Sequence, residues 1–314
     1  MIAVLLGCAA LAGAAQADEA WPAKPVRLVA CCAGIIDAIA RVVADEMTGD
    51  LKQPVVVETK PGASGMIGAD FVAKSAPDGY TLFIGTNSTH AANQSLYVKV
   101  PYDYVHDFAP INGIAVGPIM MVVRADSPIK SVADLTAAAR DKPGKLTFGW
   151  ASSSTRVAME LYNQLAKVRI MSVPYKTNPQ ATTDLVGGQI DVMFADMATA
   201  VPMVKGGKLR PLAISGKRRV AVLPDVPTME EAGVPGYDLT WWVAAWAPSK
   251  TPRDIVDRLN ASIAKAIATP KALEFFKTIA VDPMPMTPGQ LMQFQMAEHG
   301  KWGRVISLAG IEPQ

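Results

Sequence analysis

Two short polar runs hold the residues best suited to chemistry in this chain. Gly85-Thr86-Asn87-Ser88-Thr89-His90 and Ser152-Ser153-Ser154-Thr155 each follow an apolar segment and precede a helix-like one. Backbone N–H groups at a helix start are unpaired and carry partial positive charge, so they suit a carboxylate. Thr86, Asn87, Ser88, Ser152, Ser153, Ser154 and Thr155 add side-chain donors without adding charge. Either run alone also reads as a plain helix cap. The pair says more, because the two runs come from different parts of the chain and could face each other across one cleft. Asp196, at the end of an apolar segment, could accept from a ligand hydroxyl, an ammonium or a water, or could cap a helix. Tyr175 could stack on a ligand or pack in the core. Trp241 and Trp242 alternate across a strand, so at most one of them faces a cleft.

No catalytic set accompanies these residues. Gly62-Ala63-Ser64-Gly65-Met66 lacks the second glycine of a nucleophile elbow. Ser88 and His90 are close in sequence, which does not make them partners. The chain contains no Walker loop, no G-x-G-x-x-G and no H-E-x-x-H. His90, His106 and His299 are not at metal-ligand spacing. Cys31 and Cys32 are adjacent, unlike the C-x-x-C spacing that brings two thiolates to one zinc. A disulfide between neighbours needs a strained ring, so buried free thiols are expected. No cofactor and no metal are expected. The formal charge of +2 offers no electrostatic footprint for nucleic acid. The densest basic run, Lys217-Arg218-Arg219, reads as a solvated loop.

The elements that must position these residues alternate between strand and helix. Strands are expected over 25–30, 54–58 and 80–85. A helix capped by Asp37 should run through Met47, with Ile39, Val42, Val43 and Met47 on one face. Gly62-Ala63-Ser64-Gly65 should open another helix. The order implies a parallel sheet with right-handed crossovers. A second set begins near Pro118, with strands over 119–124, 146–150, 170–175, 190–195 and 209–215. Helices fall between these strands. The first should open on a capping box at Ser131–Asp134, and Gly187-Gly188 should end another. Thr228 and Glu231 could cap a short helix within 223–237. A strand over 239–247 precedes two closing helices, which start at Thr251-Pro252 and Thr287-Pro288. The chain therefore enters a second lobe near 120 and returns near 242. That gives lobe 1 over 18–120, lobe 2 over 121–242 and a return to lobe 1 over 243–314, with a hinge at the two crossings. The polar runs all follow strands, and ligands of open α/β sheets lie beyond the carboxyl ends of strands.

Residues 1–17 differ from the rest. Ile2 to Ala15 is a nearly unbroken apolar and small run, and Ala15-Gln16-Ala17 has the form of a signal-peptidase site. The run is shorter than the ~20 apolar residues that span a bilayer. Export to the periplasm and cleavage after Ala17 are expected. Leu5-Leu6-Gly7-Cys8 would be the alternative, a lipoprotein reading.

The chain resembles the Bug-type solute receptors of tripartite tricarboxylate transporters. The resemblance runs from Trp21 to Ile311. It is carried by WPAKPVRLV (21–29), QPVVVETKPGASGMIGADFVAKSAPDGYTLFIGTNSTHAANQSLY (53–97), DFAPI (107–111), KPGKLTFGWASSST (142–155), VPYK (173–176), DLVGGQIDVMFADM (184–197), GKLRPLAISGKRR (207–219), LPDVPTMEEAGVPGY (223–237) and TPRDIVDRLN (251–260). It implies a type-II periplasmic-binding-protein fold of two α/β lobes with a hinge. It also implies a small organic acid as ligand and a separate membrane transporter as partner. A monomer is expected. Carried over by position, the ligand-facing loops are Gly85 to Ser88, Ser152 to Thr155 and the region of Asp196. The first strand–helix loop departs from the family: Ala30-Cys31-Cys32-Ala33-Gly34-Ile35-Ile36-Asp37 is about two residues short and keeps one glycine. In the family this loop presents backbone N–H groups to a carboxylate. Branched Ile35 and Ile36 disfavour the conformations that such a nest needs. Thr177-Asn178 also replaces the family's small residues. A monocarboxylate, or an acid with one apolar end, is therefore expected to be preferred over a small tricarboxylate. The competing readings are an esterase using the same cleft and a degenerate or sensory receptor. Turnover abolished by one serine substitution would mark the first, and failure to bind any acid the second.

Overall fold

Residues 21–314 are described in this computed structural model, so the expected export segment and Cys8 lie outside the described residues. β1 (Val26–Ala30) is buried except at Arg27, as a central parallel strand must be. It pairs in parallel with β2 (Val55–Thr59) on one side and β3 (Thr81–Thr86) on the other. The crossovers are α1 (Ile35–Leu51) and α2 (Met66–Ala73). α1 buries Ile39, Val43 and Met47 as expected, but starts two residues before Asp37. Gly34, at φ 81°, holds the cap position without a side-chain bond. Asp37 sits inside the first turn. The expected helix start at Gly62 is also displaced, because Gly62, Ala63, Ser64 and Gly65 all have positive φ and form a left-handed turn before Met66.

After β3 the chain turns through a π-helical segment, Ser88–Ala92, into the short α3 (Asn93–Leu96). β4 (Phe108–Gly117) was not among the expected strands. It carries Pro110, Asn112 and Gly113, types depleted in strands. It pairs with β10 (Trp241–Pro248), and two register shifts in that ladder accommodate the irregular residues.

β5 (Ile119–Arg124) opens the second sheet. There follow α4 (Val132–Asp141), β6 (Thr147–Trp150), α5 (Ser153–Ala166), β7 (Met171–Pro174), α6 (Asn178–Val186), β8 (Val192–Asp196), α7 (Met197–Lys205) and β9 (Leu209–Ile214). Ser131 Oγ accepts from Asp134 N at 3.0 Å, but Asp134 returns its bond to Lys130 N rather than to Ser131. Thr228 and Glu231 make both bonds of a capping box, at 3.1 and 2.9 Å, yet the segment is a series of turns and not a helix. Three helices close the chain where two were expected. They are α8 (Arg253–Ala266), α9 (Pro270–Thr278) and α10 (Pro288–Leu308), with β11 (Asp282–Pro283) between the last two. Pro252 is the cap residue of α8 rather than its first helical residue.

The sheet orders are β11-β4-β10-β3-β1-β2 and β7-β6-β8-β5-β9. The chain leaves the first sheet at Pro118 and re-enters it at Trp241. Ser215 fastens the two crossings. Its hydroxyl accepts from Ile119 N at 2.9 Å and donates to Leu239 O at 2.7 Å, fully buried. Trp241 Nε1 donates to Pro118 O at 3.1 Å beside it. In the main core, Trp242 and Trp302 both donate to Glu298, and Trp246 donates to Gln295. Each of these three indole N–H groups thus has an acceptor on α10, and the two from β10 lock that helix over the strand. Trp242 belongs to the core, and Trp241 is buried at the crossing.

Candidate functional site

The carboxyl ends of β3 and β6 point their following loops at each other. Thr86, Asn87 and Ser88 are buried, and so are Ser153, Ser154 and Thr155. Asn87 Nδ2 donates to Ser154 Oγ at 3.0 Å across the gap between the two sheets. The two polar runs therefore meet across that gap. Local bonds set each run. Thr89 Oγ1 accepts from Thr86 N at 3.1 Å, and Thr86 Oγ1 accepts from Ser88 N at 3.2 Å, so the turn after Gly85 is fixed. Ser152 caps α5 in a reciprocal box with Thr155. That box takes the Thr155 N–H. The other N–H groups of the first turn have no intrahelical acceptor by geometry. The hydroxyls of Ser88 and Ser153 make no hydrogen bond among the described residues, although both residues are buried. Such hydroxyls are available to a bound oxygen.

The N-terminus of α5 brings partial positive charge to this point, and next to it in sequence stands one cation that sequence reasoning missed. Arg156 lies in the first helical turns behind Ser153-Ser154-Thr155. Its guanidinium stands 5.1 Å from the Trp150 ring, and its Nε is buried without a partner. The stacking on Trp150 that holds it is a three-dimensional relationship; only its place after the serine run was visible beforehand.

The remaining expected residues are spread around this centre. Asp196 caps α7, accepting from Thr199 N at 2.9 Å and Thr199 Oγ1 at 3.0 Å, and is half-buried. Tyr175 donates to Asp184 at 2.9 Å and lies against Gly149. Gly34 is exposed, and Ile35 is half-buried at the start of α1. Asp37 accepts from Arg41 Nε at 2.8 Å and also from Thr59 Oγ1, and the hydrogen bonds from Arg41 hold its carboxyl below the usual range. Ile36 and Cys31 face the core, so Cys32, Ala33 and Ile35 make the outer side of that loop apolar. Cys31 and Cys32 are both free.

His90 does not pair with Ser88. Its Nδ1 bonds Thr89 Oγ1 at 3.0 Å, and its ring stacks on Trp246 with centroids 3.7 Å apart. Complete burial pushes its pKa well down, so the imidazole is neutral. Among the described residues no group of three side chains could hold a metal ion. Lys217, Arg218 and Arg219 are solvated, and each faces a carboxylate: Asp238, Asp282 and Glu231. They edge a groove of about 720 Å³ on the outer side of the crossings, which none of the residues of the two polar runs lines.

The family model of the tripartite tricarboxylate transporter family receptor matches residues 39–311. Three solved structures show how closely the fold agrees. "R. palustris Rpa4515 with adipate" is 34% identical with a TM-score of 0.89, covering 94% of this chain and 100% of that one. The periplasmic binding protein BugD is 29% identical with a TM-score of 0.86, covering 94% and 100%. MatC (Rpa3494) from Rhodopseudomonas palustris with bound malate is 32% identical with a TM-score of 0.84, covering 91% and 100%. The architecture is that of a periplasmic binding protein, with two α/β lobes and a cleft, and the hydrolase alternative falls away. With its profile matched over most of its length, the chain belongs to the tripartite tricarboxylate transporter receptors, a family of solute-binding receptors and not of enzymes.

Proposed function

We propose that this protein is an extracytoplasmic receptor that captures one small organic carboxylate between the Thr86–Ser88 and Ser152–Thr155 loops for a membrane transporter. The observation that carries the reading is the buried contact of Asn87 with Ser154 between the two sheets. It brings two sets of neutral donors and the N-terminus of α5 to one point, where a carboxylate needs them. The free hydroxyls of Ser88 and Ser153 supply hydrogen bonds that nothing else uses. The adipate and malate in two related structures agree with a carboxylate as the ligand class. The protein works in the periplasm as a monomer, after removal of residues 1–17. Its lobes, 18–120 with 243–314 and 121–242, part at the crossings to admit ligand and close over it.

Ile35 adds a preference. A second carboxylate placed against this branched side chain would be desolvated with few donors, and an unpaired buried charge is costly. An acid with one apolar end is therefore favoured over one charged at both. Calorimetric titration with a mono- and a dicarboxylate of matched length tests both statements. Ser88→Ala and Ser153→Ala should each weaken binding by about 1.5–3 kcal/mol, or roughly ten- to a hundredfold. Ile35→Gly should leave monocarboxylate binding nearly unchanged and improve the dicarboxylate. If Ile35→Gly abolished binding while both serine variants bound normally, the site would lie at the first loop instead.

A further inference from the structure

Cys31 and Cys32 follow β1 directly, at the start of the loop that leads to Gly34 and α1. Cys31 remains in sheet register, its N–H donating to Ile84 O at 3.0 Å, and its side chain is fully buried. Cys32 is half-buried. The two Sγ atoms lie 2.9 Å apart with no bond between them. The neighbours on the far side are Thr86 of the ligand loop and Gly65 of the left-handed turn. The thiols share a hydrogen bond that works in opposite senses: it raises the Cys31 pKa, with burial adding to the rise, and lowers that of Cys32. Cys32 is the sulfur nearer solvent, and the fully buried thiol of Cys31 stands behind it within 2.9 Å. That is the arrangement of an attacking and a resolving cysteine.

We propose that Cys31 and Cys32 are a redox-active pair, converted to an intramolecular disulfide by exchange with a disulfide oxidant. The Cys32 thiolate attacks one sulfur of the oxidant, forming a mixed disulfide and expelling the first thiolate. Cys31 then gives up its proton and attacks the Cys32 sulfur, expelling the second. Two protein thiols become one ring disulfide, and the oxidant leaves as two thiols. Adjacent Cα atoms are about 3.8 Å apart, whereas ordinary disulfides span about 4.4–6.8 Å. The ring is therefore strained and readily reduced, which suits a reversible device and not a staple. The exposed Ala33 and Gly34 give the backbone room to adjust, since Gly34 already holds φ 81° and meets nothing where a Cβ would stand.

The test is reduced full-length protein incubated in its native state with oxidised glutathione, then alkylated and digested with trypsin. Cleavage after Arg27 and Arg41 isolates both cysteines on one peptide, Leu28 to Arg41. The expected result is loss of both alkylatable thiols on that peptide and a mass lower by two hydrogens, reversed by dithiothreitol. In Cys31→Ser, the same treatment should stop at a glutathione adduct on Cys32, the trapped intermediate. A wild-type peptide that keeps both thiols, ends as a glutathione adduct or cross-links two chains overturns the proposal. The wild-type result decides the matter even if the variant does not fold. It is independent of whether any carboxylate binds.

Discussion

Asn87 and Ser154 are 67 positions apart, follow strands of two different sheets, and are joined by a hydrogen bond of 3.0 Å. The bond has a consequence for energetics. If the two loops act as one site, removing either partner changes what the other contributes. Asn87→Ala and Ser154→Ala should each weaken carboxylate binding, and the double variant should lose less than the sum. A coupling of about 0.5–1.5 kcal/mol is expected in a double-mutant cycle read by calorimetry. Strict additivity would mean that the loops bind independently and do not meet in the complex.

Ser215 joins both crossings through one hydroxyl. Ser215→Ala leaves the Ile119 N–H and the Leu239 carbonyl without that partner in a fully buried place. The loss should be about 1–3 kcal/mol in urea unfolding. Ser249→Ala, on an exposed serine after β10, should stay within about 0.5 kcal/mol. Equal effects from the two variants would remove Ser215 from its role at the crossings.

Gly65 is held at φ 84° with no room for a side chain. A Cβ there would stand 2.7 Å from Thr89 Cγ2 and 3.1 Å from Cys31 Cβ. Gly65→Ala combines a left-handed non-glycine residue, about 1–2 kcal/mol, with a clash at the back of the Thr86–His90 loop. A fall of roughly 2–3 kcal/mol in chemical denaturation is expected. An alanine variant as stable as the parent would show that the turn can relax away from Thr89.

Much of this was legible in the sequence, and the exceptions have physical reasons. Strand–helix alternation and the two polar loops showed because apolar periodicity and cap residues are local signals. β4 did not show, because Pro110, Asn112 and Gly113 break the strand pattern that only pairing with β10 restores. The left-handed turn at Ala63 and Ser64 is held by tertiary contacts such as Ser64 with Tyr97, at 2.7 Å, and neither residue prefers positive φ. α9 is different. Thr269 and Pro270 carry the same cap and first-turn signature as Thr287 and Pro288, so that helix was readable. That the two loops could share one cleft was an inference from topology. Which atoms meet depends on how the lobes are set, which no local signal encodes.

Acid should loosen the contact between α1 and α8. Asp50 accepts from Lys265 Nζ at 2.9 Å and lies 3.5 Å from Arg258. The Lys265 hydrogen bond, with help from the charge of Arg258, holds its carboxyl below the ordinary value. The folded state then binds fewer protons than the unfolded one as pH falls below about 4. The stabilisation is complete above the unfolded pKa and is lost as pH drops through the folded one. Asp50→Asn should lower stability by about 1 kcal/mol at neutral pH and should lose less than the parent on going from pH 5 to pH 3. An unchanged acid limb in denaturation profiles would show that the pair contributes nothing.

If both the ligand site and the redox pair are as proposed, the two are coupled. Closing the ring at Cys31 and Cys32 moves the backbone that carries Gly34 and the first N–H groups of α1, and Cys31 neighbours Thr86. Oxidation should therefore weaken carboxylate binding, by at least about fivefold on the scale of ordinary site-to-site coupling. Calorimetry on fully reduced and fully oxidised protein, each verified on the Leu28 to Arg41 peptide, measures it directly. Linkage requires the reverse effect as well, so saturating ligand should make the pair harder to oxidise by the same factor. Equal affinities in the two states would leave a redox-active pair with no hold on the ligand. Calorimetry on both redox forms with glutathione added guards against a different error, in which glutathione bound in the cleft mimics the coupling. Competition by glutathione would weaken binding in both redox states, whereas ring closure weakens it only in the oxidised one.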